Sequence, residues 1–466
     1  MTNLPLETPP KDVNEPLKIY LLSLGCSKNL VDSESMSQIL RDSGDQMIGE
    51  PELADVLLVN TCGFIESAKK EAIEAILDLA DYKQPKGQAR YLIVAGCLSQ
   101  RYAQEILDSF PEVNAVLGTA DYARIHDQIC RLYAEDLPGD GQLVQDLPGP
   151  GGSLEHLTPI RIPSTPQTYA YIKVAEGCSN HCTYCAIPGI RGPFHSRPFE
   201  EIIAEAKHLS DSGYGELILI AQDTTRYGLD LYGWRRLPEL IHSICALPLV
   251  RMVRILYVYN DGLTDEMISC MAGESKVAHY LDLPIQHASD KILSAMNRRD
   301  TQERIRQTVN RLREAMPDIV LRSTVLVGFP GESEDDFQEL MGFLADVRFD
   351  RLGCFVFSAE EGTPAATMKP KIAKKIAVSR MDAVMQQQQA ISRELNQARV
   401  GQVYAVSLDS IADDGVFYKG RSFAEAPEVD PIIWVAAAQD NLSVGQTVQV
   451  QIVAADEYEL TGETIT

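Results

Sequence analysis

Three cysteines recur at nearly equal intervals. Cys26, Cys62 and Cys97 are 36 and 35 residues apart. Each closes a short apolar run, in LLSLGC, LVNTCG and IVAGC, and each precedes a stretch of helical periodicity. Short apolar runs alternating with helical stretches indicate βαβ units and a parallel sheet. Three consecutive parallel strands then carry a cysteine at the same end of the sheet. Neighbouring strands lie about 4.8 Å apart, so loops at their carboxyl ends converge on one ligand. Free cysteines often merely fill a core. A glycine beside each one (Gly25, Gly63 and Gly96) favours a shared ligand instead.

The same alternation organises most of the chain. At roughly 150 residues per domain, 466 residues suggest about three domains. Residues 15–133 form the first, an α/β domain with strands in LKIYLLSLG, DVLLVN, RYLIVAG and NAVLG. Residues 134–167 are rich in Pro and Gly, lack apolar periodicity and read as a linker. Residues 168–398 return to strand–helix alternation. Six strands, in YAYIKVA, ELILIAQ, MVRILYVY, HYLDLPI, RSTVLVGF and RLGCFVF, predict a partial (β/α)6 barrel that ends in a long helix. Residues 399–466 are all strand, in QVYAVSLDS, GVFYKGRS, IIWVAA and QTVQVQIVAA, and predict a small β-barrel.

Composition limits the chemistry. The formal net charge is −24, which opposes general affinity for nucleic acid. No apolar run is long enough to span a bilayer, and the N-terminal stretch has no apolar signal core, so a cytoplasmic protein is expected. Ten cysteines in such a protein point to metal or redox chemistry ahead of disulfides.

The densest signal is Cys178-Ser-Asn-His-Cys182-Thr-Tyr-Cys185, directly after the strand YAYIKVA. Three thiols in one loop suit an iron–sulfur cluster or zinc. Structural zinc normally takes four protein ligands, and no fourth cysteine is local. A cluster on three thiolates keeps one iron open to another ligand. His181, inside the loop, reads as a shaping residue. Cys130, Cys245, Cys270 and Cys354 have no ligand spacing and read as core or surface residues.

This CxxxCxxC loop, with Tyr184 before its last cysteine, resembles that of the radical S-adenosylmethionine enzymes. The strings SLGCSKNLVDSE, NTCGFI, AGCLSQRY, EGCSNHCTYCAIPGIRG and GFPGE resemble the methylthiotransferases of that superfamily, from about Leu17 to the C-terminus apart from the linker. The resemblance implies a cluster domain, a radical S-adenosylmethionine barrel and a C-terminal TRAM barrel. It implies two 4Fe–4S clusters, on Cys26, Cys62 and Cys97 and on Cys178, Cys182 and Cys185, with S-adenosylmethionine on the open iron of the second set. It also implies an electron donor such as flavodoxin or ferredoxin, and a sulfur donor. A non-catalytic iron–sulfur module is the contrasting reading, but it has no need of a barrel.

Residues at the carboxyl ends of barrel strands face the site. Gln222 and Asp223 end one strand, Gln286 and His287 follow another, and Gly328, Gly331 and Glu332 follow a third. With Tyr184, the residues Gln222, Asp223, Gly328, Gly331 and Glu332 are the candidates for binding S-adenosylmethionine; a tight strand–helix turn would equally explain GFPGE. Arg191, His195 and Arg197 follow the cysteine loop and would screen cluster charge, hold a substrate carboxylate or form a solvated basic loop.

Two branches of the family differ in substrate. The strings AQDTTRYGLDLYG and FSAEEGTPAA resemble the RimO type, which modifies an aspartate of a small-subunit ribosomal protein. The alternative is the MiaB type, which modifies isopentenyladenosine in transfer RNA. Residues 399–466 contain three bases and eleven acids, a balance of −8. RNA binding draws most of its affinity from neutralising phosphates, so RNA binding by this domain is not expected and a basic ribosomal protein is the expected partner.

Overall fold

A computed structural model describes residues 16–138, 140–143, 147, 154, 157, 160–437 and 442–465. The expected linker lies partly outside these residues. The chain divides into two compact units. One comprises the described residues up to Ile162 together with Ile187–Pro193, and the other comprises Pro163–Ala186 and the residues from Phe194 onward.

In the first unit, strands β1 (Lys18–Ser23), β2 (Gln46–Ile48), β3 (Val56–Thr61), β4 (Tyr91–Gly96) and β5 (Ala115–Leu117) form a parallel sheet in the order β2-β1-β3-β4-β5. Every residue of β3 and β4 is buried, as expected where helices cover both faces. Successive side chains alternate between faces. Val56 and Leu58 pack in one core with Met36, Tyr122 and Ile129, while Leu57 and Val59 pack in another with Ala72, Ile76 and Ile106. The short edge strand β2 has no signature in the sequence pattern.

The second unit contains all six expected barrel strands. They are separated by the two-stranded ladder of β7 and β8: β6 (Tyr169–Lys173), β7 (Ala175–Glu176), β8 (His195–Ser196), β9 (Glu216–Ile220), β10 (Met252–Ile255), β11 (Val277–Asp282), β12 (Val320–Val327) and β13 (Arg351–Val356). The six pair in parallel, in the sequential order β13-β12-β11-β10-β9-β6, with β6 and β13 as edges. The long helix runs over Lys374–Gln397. Strands β14 (Val403–Ile411), β15 (Phe417–Arg421), β16 (Ile433–Ala436), β17 (Thr447–Ala455) and β18 (Leu460–Thr464) close the terminal barrel in the order β14-β15-β16-β18-β17. The sequence pattern predicts four strands there. The fifth, LTGET, has too few apolar residues to stand out, yet its pairing with β16 and β17 closes the barrel.

Several charged residues of the terminal barrel are engaged with the β-strand core. Arg421 donates to Glu216 at 2.8 Å and to Asp409 at 2.5 Å. Glu216 also accepts from Arg254 at 2.7 Å, and Arg254 reaches the Phe423 carbonyl at 2.6 Å. Tyr280 donates to Asp430 at 2.6 Å, and Tyr169 and Tyr171 both donate to Glu428. Glu216, Arg254 and Arg421 are all buried. Burial raises the Glu216 pKa, but Arg421 and Arg254 outweigh it and hold the carboxyl below its usual range. Removing one partner from such a cluster leaves buried charge uncompensated. Glu216→Gln is therefore expected to cost about 3–5 kcal/mol of stability in chemical denaturation. A depressed carboxylate pKa stabilises above the unfolded value of about 4.3 and is lost as pH falls through the folded value. The acid-side loss of stability should thus be shallower in Glu216→Gln than in the parent.

Candidate functional site

The three loops carrying Cys26, Cys62 and Cys97 follow β1, β3 and β4, which are adjacent in the first sheet. Cys26 occupies the N-cap position of the helix Ser27–Asp42, and Cys97 is the first residue of the helix Cys97–Ser109. Helix N-termini favour negative charge, thiolates included. The glycines permit the close packing of these loops. A Cβ on Gly25 would stand 2.7 Å from Cys62 Cβ, and one on Gly63 would stand 2.7 Å from Leu98 Cα and 2.9 Å from the Cys97 carbonyl. Gly96 combines a φ of +106° with Thr61 O only 2.4 Å from where a Cβ would sit.

The thiols of this set influence one another. Burial, then the charge of Cys97, pushes the Cys62 thiol up to about 12. Cys26 is exposed by surface area, while the chain around it still desolvates its sulfur. That desolvation opposes ionisation, but Lys28, Arg191 and the backbone N–H groups of Asn29 and Lys28 outweigh it and hold the thiol below its ordinary range. Arg191 also donates from Nε to Cys97 Sγ at 3.3 Å.

The second set lies on the loop after β7. Cys178 and Cys182 are buried and Cys185 is half-buried. The loop is fixed through its backbone. Thr183 N–H donates to the Met296 carbonyl at 3.0 Å, Ala365 N–H donates to the Thr183 carbonyl at 2.9 Å, and Asn297 donates to the His181 carbonyl at 2.8 Å. His181 itself is exposed. Burial pushes the Cys178 thiol up to about 11. Among the described residues no three His, Cys, Asp or Glu side chains stand together as ligands of a single ion. A cluster makes a different demand, because each thiolate binds its own iron. Each set supplies three cysteines outside any disulfide, the first on closely packed loops and the second on one loop, which fits that demand.

Asp223 is buried, and burial raises its pKa. Its carboxylate accepts from Asn180, inside the cysteine loop, at 2.6 Å and from Thr225 at 2.6 Å. Gln222 donates to Glu176 at 2.9 Å. Tyr184 packs against the buried cluster of Ile292, Met296, Phe329 and Ala365. Gly328 has a φ of +76°, and a Cβ there would meet Ala377 Cβ at 2.5 Å. Gly331 has a φ of +86° and donates its N–H to the Pro370 carbonyl at 2.9 Å. Glu332 is buried, and its carboxylate accepts the N–H groups of Gly328 and of Phe329, the latter at 3.0 Å. Arg380 Nη1 stands 3.1 Å from Glu332 Oε1 but out of hydrogen-bond alignment. GFPGE is thus a carboxylate-braced strand–helix turn. His287 is buried, with Nδ1 accepting from Ser289 N–H at 3.0 Å.

The basic residues after the cysteine loop separate. Arg191 belongs to the first unit, whereas Arg197 is buried in the second, donating to Glu205 and to the Lys173 carbonyl. His195 is exposed. Sequence reasoning missed Arg298. It is buried, donates to the Pro284 carbonyl at 2.7 Å, lies 4.5 Å from the Tyr259 ring centroid, and lines a cleft with Cys182 and Asn180. Its string, MNRRD, carries no recognisable signal. Cys130 lies 3.3 Å from His126 Nε2, and His126 faces Asp45 at 3.2 Å.

Three family models match the chain: Uncharacterized protein family UPF0004 over residues 18–118, the Radical SAM superfamily over 172–344 and the TRAM domain over 400–465. The ribosomal protein uS12 methylthiotransferase RimO of Acetivibrio thermocellus is 46% identical, covering 96% of this chain and 98% of that one. The chain belongs to the RimO family of methylthiotransferases. The RimO of Clostridioides difficile is also 46% identical, over 96% of this chain and 99% of its own length. Among solved structures, the radical S-adenosylmethionine methyltransferase TsrM of Kitasatospora setae, with cobalamin and a [4Fe-4S] cluster bound, matches with a TM-score of 0.53 at 13% identity. It covers 86% of this chain and 78% of its own, a likeness of fold.

The family-typical string 221–233 acts here as a brace. Asp230 accepts from Ser196 N–H at 2.9 Å and from its hydroxyl at 2.6 Å, Tyr227 donates to the Arg197 carbonyl at 3.1 Å, and Tyr232 accepts from Phe199 N–H at 2.8 Å.

The packing at Gly63 generates a direct test. Gly63→Ala is expected to destabilise the first unit by about 1–3 kcal/mol through overpacking. Gly49→Ala, where a Cβ meets nothing within 4 Å, should change stability by less than about 0.5 kcal/mol in the same denaturation assay.

Proposed function

We propose that this chain inserts sulfur at the β-carbon of an aspartate in ribosomal protein uS12 and methylates it, giving 3-methylthioaspartate. The observation that carries the reading is the presence, in a chain of the RimO family, of two separate three-thiol sets, one on the loops after three parallel strands and one on the single loop after β7. Cys178, Cys182 and Cys185 would hold one 4Fe–4S cluster, the one that would take S-adenosylmethionine. Cys26, Cys62 and Cys97 hold a second cluster. When bound, these groups supply a 5′-deoxyadenosyl radical that removes hydrogen from the target carbon, the sulfur that replaces it and the methyl group.

The chain's own residues orient and enclose. Tyr184, Gln222, Asp223, Gly328, Gly331 and Glu332 form the S-adenosylmethionine side. Asp223 acts there by tying Asn180, and Glu332 by bracing the turn, because both carboxylates already accept hydrogen bonds. Three segments divide the work: a cluster domain over 15–133, the radical S-adenosylmethionine core over 168–398 after the linker 134–167, and the TRAM barrel over 399–466.

The TRAM barrel meets protein, not RNA. Among the described residues, Asp413, Asp414, Glu428, Asp456 and Glu463 are its exposed charges; Arg421 is buried, and Arg399 and Lys419 are half-buried. That surface suits a basic ribosomal protein and would repel phosphates. A low-potential electron donor such as flavodoxin or ferredoxin, and a sulfur donor, complete the reaction in the cytoplasm. Among the described residues no helix is long and apolar enough to cross a membrane.

Mass spectrometry of uS12 from a strain lacking this chain should show loss of one methylthio group, and its persistence would refute the assignment. Anaerobically reconstituted protein should hold about eight irons. Replacing Cys178, Cys182 and Cys185 by Ala should leave about four and abolish cleavage of S-adenosylmethionine. Replacing Cys26, Cys62 and Cys97 should leave about four with cleavage intact and sulfur insertion lost.

A further inference from the structure

Arg191 stands six residues beyond Cys185 in the chain, yet its side chain is spent on the other cysteine set. Its guanidinium is buried. Nη1 donates to Asp32 at 2.7 Å, Nη2 donates to Asn29 Oδ1 at 2.8 Å, and Nε donates to Cys97 Sγ at 3.3 Å. The Asn29 amide cannot turn away, because its Nδ2 donates to the Leu24 carbonyl at 2.7 Å and to the Thr61 carbonyl at 3.3 Å. Asp32 and Asn29 are themselves buried on the helix that begins beside Cys26. The planar fork therefore has two ends pinned, and its third donor is aimed at the sulfur.

Such placement has an electrostatic consequence. Hydrogen bonds to ligand sulfurs and nearby charge set the potential of an iron–sulfur cluster. One-electron reduction adds one negative charge to the cluster, and a donor aimed at a ligand sulfur stabilises that charge. Other charges nearby have contacts of their own, Arg101 among them, which donates to the Gly63 carbonyl at 2.8 Å. Glu34, on the same helix, is paired with Arg161, and Lys28 acts on Cys26. Asp32 partly offsets Arg191, but the guanidinium is the direct neighbour of the sulfur.

We propose that Arg191 is a positioning residue for the cluster on Cys26, Cys62 and Cys97: it seats the Cys97 sulfur and makes that cluster easier to reduce. The inference rests on the proposed ligand role of those three cysteines.

The test uses the full chain with Cys178, Cys182 and Cys185 replaced by Ala, so that only the first set is read. Reconstituted protein is titrated anaerobically with dithionite as the one-electron donor, and the reduced cluster is counted by electron paramagnetic resonance. With Arg191 intact the chain should hold about four irons. Arg191→Gln should retain iron but lower the ratio of reduced to oxidised cluster about tenfold at the parent's midpoint potential, the effect of one charge-assisted hydrogen bond. Arg191→Lys keeps the charge without the fork and should fall between the two. Unchanged ratios in both variants would overturn the proposal. So would loss of iron from Arg191→Gln combined with a parent-like titration of Arg191→Lys, which is what a merely structural residue gives. Absence of iron with Arg191 intact would instead refute the ligand role of the first set, and the inference with it.

Discussion

Parallel pairing is the constraint from which the first candidate site follows. In a parallel sheet every strand delivers its carboxyl end to the same edge, and the chain must leave each strand there before crossing back through a helix. Three adjacent strands, β1, β3 and β4, therefore present three loops side by side, and one cysteine in each is enough to make a set. Glycine is the enabling residue. With the Cβ of a larger residue at Gly25 or Gly63, the neighbouring loop would have to move by the better part of a van der Waals radius. The second set uses a different solution. One loop carries all three thiols, and its shape is imposed by hydrogen bonds between its backbone and residues 296, 297 and 365 and by the Asp223–Asn180 contact.

The acidity of the chain serves more than solubility. In the second unit, Glu216 and Arg254 of the β-strand core, Arg421 and carboxylates of the terminal barrel, and three tyrosine hydroxyls interleave in one network. Burying ions costs solvation energy, and such a network is tolerable only because nearly every oxygen and N–H group finds a partner. Four of the acids that make the terminal segment look strongly negative, Asp409, Glu425, Glu428 and Asp430, are engaged in this way. What remains outward is a shorter list, still acidic. Net charge read from sequence thus reported the sign of the surface correctly but overstated its magnitude.

The difference between what was legible and what was not is a difference of range. Strand identity, helix identity and the six cysteines declare themselves through local periodicity and spacing, because burial repeats every two residues in a strand and the loops repeat once per βαβ unit. The strands β2 and β18 escaped because neither carries that alternation; their neighbours' unpaired edges hold them in place. Side chains that act across the chain leave no local mark. Arg191 meets Asp32 at a separation of 159 residues, and Tyr280 meets Asp430 at 150. In sequence, Arg191 is one basic residue in a loop containing three, and only the fold distinguishes it from Arg197, which is equally buried but braces Glu205. GFPGE shows the same limit from the other side. Its glycines announce a special backbone, and the structure supplies the reason: Gly328 must admit Ala377 of the long helix, while Glu332 gathers the N–H groups that the turn leaves unpaired. A motif can therefore be read for the conformation it requires well before the partner that requires it is known.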